Sequence, residues 1–147
     1  MPTLRQPLKL LTWEGVPGIS ACRSQAVYLS KPDGSNLFTT EGETISIKSA
    51  AKIGTRFGQQ RIILTPLVTC GLNLVPYAVR LADLWGLNEY GWYAAAHYDT
   101  EHPHIHFVAE TDSGNGERLS LSDETMSAWM LHAQSLSTNI LGLYKNA

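Results

Sequence analysis

Apolar and polar positions are most sharply patterned between Trp92 and Glu110. Trp92 to His97 is an uncharged run with two aromatics, and His104 to Ala109 alternates imidazole with apolar side chains before ending in Val108 and Ala109. Both runs predict strands. Between them Tyr98 to Pro103 carries Asp99, Thr100 and Pro103, which favour a turn, so the two strands are expected to form a hairpin. Earlier in the chain, Lys9 to Trp13 predicts a first strand that stops at Val16-Pro17-Gly18. Ser20 is then the expected N-cap of a helix from Ala21 to about Ser30, followed by a loop over Lys31 to Ser35. Leu37 to Gln60 has no clear period. Arg61 to Pro66 predicts a buried strand, and Val75 to Trp85 a helix with Pro76 in its first turn and Gly86 as its stop. After the hairpin, Asp112 to Gly116 predicts a turn and Leu119-Ser120-Leu121 a brief strand. Ser122 caps a final helix whose apolar face runs through Met126, Trp129, Met130, Ala133, Leu136 and Ile140. This order predicts an α+β fold, an antiparallel sheet packed against helices.

Composition adds bounds to that picture. The 147 residues, 44% hydrophobic and 16% charged, suffice for one core, so a single domain spanning 1–147 is expected. The chain shows neither a long apolar span nor a signal-peptide pattern, which predicts a soluble, cytoplasmic protein without membrane attachment. Cys22 and Cys70 lack metal-type spacing and are expected to be buried thiols. The net charge of −2 hides a division: residues 1–80 hold nine Lys/Arg against four Asp/Glu, and residues 81–147 hold two against nine. Lys48, Lys52, Arg56 and Arg61 fit either phosphate contacts or a solvated face.

The chemistry concentrates in the hairpin, where four of the five histidines fall within ten residues. His104 and His106, two apart in a strand, share a face, while Ile105 and Phe107 point to the other side. The hairpin returns His97 to the same place, so three imidazoles converge as metal ligands with positions left open for substrate. A lone histidine would be read as a polar surface residue; three in this register favour a metal. Asp99 and Thr100 are placed to hold an imidazole N–H or to touch substrate. His102, out of register on the loop, is expected to be an exposed bystander.

The pattern His97-x-Asp99-Thr100-x-x-Pro103-His104-x-His106, followed by Phe107-Val108, resembles the three-histidine motif of conjugative and mobilisation relaxases, the group that includes the border endonuclease of T-DNA transfer. These belong to the His-hydrophobic-His (HUH) nuclease superfamily. The resemblance implies a relaxase-like fold with the tyrosine ahead of the histidines, and a metal-dependent nickase that cleaves single-stranded DNA at an origin of transfer and forms a 5′-phosphotyrosine adduct. It implies Mn2+ or Mg2+ held by His97, His104 and His106, with Asp99 beside them. It also implies relaxosome accessory proteins and a type IV secretion coupling protein as partners. Tyr28-Leu29, ahead of a polar glycine-containing loop, matches the family's early helix and makes Tyr28 the candidate nucleophile. Tyr144 stays open as the alternative, because it follows the histidines as in replication initiators and transposases. The family's serine-bearing motif finds no counterpart here. Two other readings remain at this stage: an inactive, relaxase-derived DNA-binding accessory protein, and a cupin, whose first motif His104-x-His106 and Glu110 imitate. A cupin would want a glycine near Tyr98, and a later strand bearing a histidine where this chain has only His132 in an expected helix.

Overall fold

The structure is a computed structural model that describes residues 8–31, 36–66, 73–98, 103–119 and 121–139. Its strands are β1 (Lys9–Gly15), β2 (Gln59–Thr65), β3 (Trp92–His97) and β4 (His104–Glu110); its helices are α1 (Ile19–Ser30), α2 (Ile47–Ala50), α3 (Val75–Leu84) and α4 (Asp123–Asn139). The strands form one antiparallel sheet in the order β1-β2-β4-β3. The fold is therefore α+β, with the hairpin where the alternation predicts it.

Side chains alternate across this sheet, and each face carries its own apolar cluster. On one face Ile62, Leu64, Trp92, Ile105 and Phe107 meet Tyr77 and Leu81 of α3 and Trp129, Ala133 and Leu136 of α4. Phe107 sits among aromatics there, 5.1 Å from the ring of Trp85 and 6.1 Å from that of Trp92. Trp85 also stacks on Trp129 at 4.5 Å, and the Tyr77 hydroxyl donates to the Ala133 carbonyl at 2.7 Å, joining α3 to α4. On the other face the smaller Tyr93, Ala95 and Val108 meet Ala26 and Leu29 of α1 and Ala50 of α2. That arrangement brings α1 down onto the end of the sheet that carries the histidines.

Several local expectations need correction. Helix α1 begins at Ile19, and its N-cap is Gly18, not Ser20: Gly18 holds φ at 115°, where a side chain is disfavoured, and its N–H donates to the Thr55 carbonyl at 2.9 Å. The backbone thus turns two residues before the hydroxyl that sequence favours. Helix α2 lies in the aperiodic segment, capped by the Ser46 side chain accepting from the Ser49 N–H; one helical turn is too short to impose a period. The brief strand expected at Leu119 to Leu121 is not formed in the described residues, where pairing reduces to an isolated bridge between Asp112 and Arg118. Ser122 does cap α4, accepting from the Thr125 N–H at 3.1 Å. Gly86, left-handed at φ 78°, ends α3 as expected. Cys22 is buried as expected, whereas Cys70, Ile140 and the loop 32–35 lie outside the described residues. Among the described residues no helix is long and apolar enough to cross a membrane.

Phe107 is fully buried, so Phe107→Ala should cost about 3–5 kcal/mol through lost burial and a cavity among the tryptophans. Urea unfolding followed by far-UV circular dichroism measures it.

Candidate metal centre

The hairpin register sets the site. His97 lies directly opposite His104, and Ala95 opposite His106. Opposed residues of an antiparallel pair share a face, so all three imidazoles project from the α1 side of the sheet. Their ring centroids are 5.3 Å apart for His97 and His104, 4.7 Å for His97 and His106, and 5.0 Å for His104 and His106. One nitrogen from each lies within 4.8 Å of the others. With metal–nitrogen bonds near 2.1 Å, tetrahedral ligand atoms stand about 3.4 Å apart, so small ring rotations close the set. His97 and His106 are 3% and 8% exposed and His104 is half-buried, which leaves approach from the His104 side.

Two features prepare these rings as ligands. The Nε2 of His97 lies 2.9 Å from the Leu29 carbonyl of α1. A carbonyl only accepts, so Nε2 carries the proton and Nδ1 keeps the lone pair for an ion. His106 has its pKa lowered from 6.5 to about 3, first by burial and then by the neighbouring His97 and His104. It is therefore neutral, as coordination requires. Two buried imidazoles and a half-buried third, with one tautomer fixed from behind, are a donor set that fits a divalent ion.

The other expected residues divide. Tyr28 stands on α1, 63% exposed, one peptide before the carbonyl that holds His97. It lines a shallow surface groove with Arg23, Ser24 and Lys31. Asp99, Thr100, His102 and Tyr144 lie outside the described residues. Sequence reasoning missed the Leu29 carbonyl, a backbone group without a residue signature. It also missed that the Tyr98 hydroxyl accepts from the Leu74 N–H at 2.7 Å, pinning the start of the hairpin loop to α3.

Charge follows the same division of faces. Lys9, Arg23, Lys31, Lys48, Lys52 and Arg56 are exposed on or beside β1, α1 and α2, whereas Asp83, Asp123 and Glu124 are exposed on α3 and α4 behind the sheet. The main exceptions are Arg80 on α3 and the half-buried Glu110 at the end of β4.

An open antiparallel sheet with helices on both faces and three imidazoles gathered on paired strands fits the arrangement of the His-hydrophobic-His type. The cupin alternative does not fit this fold, because among the described residues the sheet is four-stranded and open, not closed into a barrel. The family model for the relaxase, MobA/VirD2-like nuclease domain, matches residues 73–137, a stretch that holds α3, the whole hairpin with its three histidines and most of α4. The resemblance to relaxases is thus borne out on that stretch, and α1 with Tyr28 precedes it. Comparison with curated proteins finds no match.

Replacing His104 and His106 together with Ala should abolish Mn2+ binding in isothermal titration; parental affinity in the double variant would place the site elsewhere. A second expectation concerns pH in the metal-free protein. Because the folded pKa of His106 lies below the unfolded value, the unfolded chain takes up the proton first. The stabilisation is complete above pH 6.5 and is lost as pH falls toward 3. Urea midpoints should therefore drop between pH 7 and 5, and less so in His106→Asn.

Proposed function

We propose that the chain is a metal-dependent nickase of single-stranded DNA that cleaves at an origin of transfer, with Tyr28 as nucleophile and His97, His104 and His106 as the metal ligands. The observation that carries this reading is the pairing of the three-histidine cluster with the relaxase nuclease-domain match around it. The hydrogen bond from His97 to the residue after Tyr28 supports the choice of tyrosine, since it ties the helix bearing the phenol to the cluster. In the reaction, the Tyr28 oxygen attacks phosphorus and gives up its proton to a base or to water. The bond from phosphorus to the 3′ oxygen breaks, and that oxygen leaves as a hydroxyl after taking up a proton. The products are a 5′-phosphotyrosine and a free 3′ end, so the bond energy is kept for rejoining.

A bound divalent ion would polarise the non-bridging phosphate oxygens and offset their charge. The three imidazoles suit a transition dication, Mn2+ of the two expected ions, better than Mg2+, which favours an oxygen shell. Asp99 is assigned to holding an imidazole N–H of the cluster or to contacting the strand. The chain is read as one nuclease domain acting in the cytoplasm, with relaxosome accessory proteins and a type IV secretion coupling protein as partners. An inactive DNA-binding relative is the second reading, favoured by one observation: the family match begins after Tyr28.

Incubation with single-stranded origin oligonucleotides and Mn2+ should give a denaturant-resistant protein–DNA band. Tyr28→Phe, a substitution at an exposed position, should remove the band and leave Mn2+ affinity unchanged. Loss of the band in Tyr144→Phe but not in Tyr28→Phe would move the nucleophile to the C-terminal side. No band with any origin strand, alongside retained DNA binding, would favour the inactive relative.

A further inference from the structure

Strand β1 presents two unlike surfaces. Leu10 packs toward the core beneath α3 and α4, while Lys9, Leu11 and Trp13 point to the histidine face, where Leu11 is 59% and Trp13 40% exposed. Helices α1 and α2 cover that face where Tyr93, Ala95 and Val108 lie, and they leave its β1 side open. The open part runs straight to the cluster. Leu11 opposes Ile63, and Ile63 opposes His106, so the three form one row across β1, β2 and β4. At the usual strand spacing, Leu11 is about 10 Å from His106.

Isolated exposed apolar residues are ordinary on a protein surface. This pair differs in its setting. Trp13 opposes the half-buried Arg61, Lys9 stands exposed two residues before Leu11, and the carboxylate of Glu14 points to the opposite face, paired with Arg118 at 2.6 Å. The result is an aromatic and an aliphatic side chain between two cations, without a carboxylate on that side of the strand. Bases of a single strand offer flat apolar faces beside charged phosphates, which is the complement of this surface. Bases of a duplex are already stacked and cannot use it.

We infer that the Lys9–Trp13 face of β1 is a base-stacking platform that guides a single-stranded nucleic acid to the histidine cluster. The inference rests on the nickase reading for its occupant. Trp13 is a positioning residue that sets where the strand lies and takes no part in bond breaking.

The four tryptophans make this measurable. Trp85, Trp92 and Trp129 are each 5% exposed or less, so solvent-sensitive fluorescence belongs to Trp13. Titration with an oligothymidylate lacking an origin should quench that emission. By fluorescence anisotropy Trp13→Ala should bind the same oligonucleotide about 5- to 100-fold more weakly, and Trp13→Phe should retain most of the affinity. Mn2+ binding by both variants should equal the parent's. If the parent binds the strand, yet Trp13→Ala binds it equally well and no quenching occurs, the platform is wrong and the nickase reading stands. A parent that binds no single strand overturns both. A parent dimer that dissociates in Trp13→Ala, at unchanged DNA affinity, would make the face a contact between copies and overturn the platform alone.

Discussion

Burial of Ile105, Phe107 and Ala109 on one face of β4 forces His104, His106 and Val108 onto the other, because successive strand residues point to opposite faces. The tryptophan-rich cluster against α3 and α4 leaves this choice no freedom: a one-residue slip would drive two imidazoles into the aromatic core and expose Phe107. The pairing with β3 carries the same constraint to His97, which faces the cluster because Trp92, Ala94 and Ala96 are held in that core. The site is thus fixed by apolar packing on the far side of the sheet. Stability and the geometry of the histidine cluster are here the same interaction seen from two faces.

Gathering the rings has a cost that folding alone does not require. Two imidazoles, His97 and His106, are almost fully buried, and a proton on His106 would be opposed first by desolvation and then by its neighbours His97 and His104. A histidine kept only for packing is satisfied singly, by one or two hydrogen bonds. Three rings sharing one space instead gather lone pairs at one point, an arrangement that suits a cation. The Leu29 carbonyl biases one ring further by fixing its tautomer, and it couples the angle of α1 to the cluster. Movement of that helix would therefore be felt at His97.

The fold was legible wherever a period ran for several residues. The alternation of His104 to Ala109, the apolar run of β2 and the Trp129, Ala133 and Leu136 part of the α4 stripe each sat where expected, because in each the buried face is long enough to write its spacing into the sequence. The gathering of the three histidines was legible for the same reason, since strand alternation and hairpin pairing are short-range consequences of residue order. The start of α1 and the existence of α2 were not: one depends on a tertiary contact between Gly18 and Thr55, the other on a single turn. The supporting contacts of the site were hidden too, since a carbonyl at Leu29 and a hydroxyl of Tyr98 reach partners 68 and 24 residues away. The strand order β1-β2-β4-β3, which makes the row from Leu11 to His106, belongs to the same class of long-range facts.

A net charge of −2 argues poorly against a polyanionic ligand once the two faces are separated. Lys9, Arg23, Lys31, Lys48, Lys52 and Arg56 lie on or beside β1, α1 and α2, while the acidic groups of α3 and α4 lie behind the sheet. At physiological salt the Debye length is about 8 Å, and stacked helix and sheet layers are themselves about 10 Å apart. A phosphate on the histidine face is therefore largely screened from the acids behind it and responds to the local cations. What the summed charge does affect is approach from a distance, where the acidic side would repel a polyanion and favour its arrival on the opposite face. The sign of the whole molecule and the sign of its working surface are then separate quantities, and only the second bears on binding.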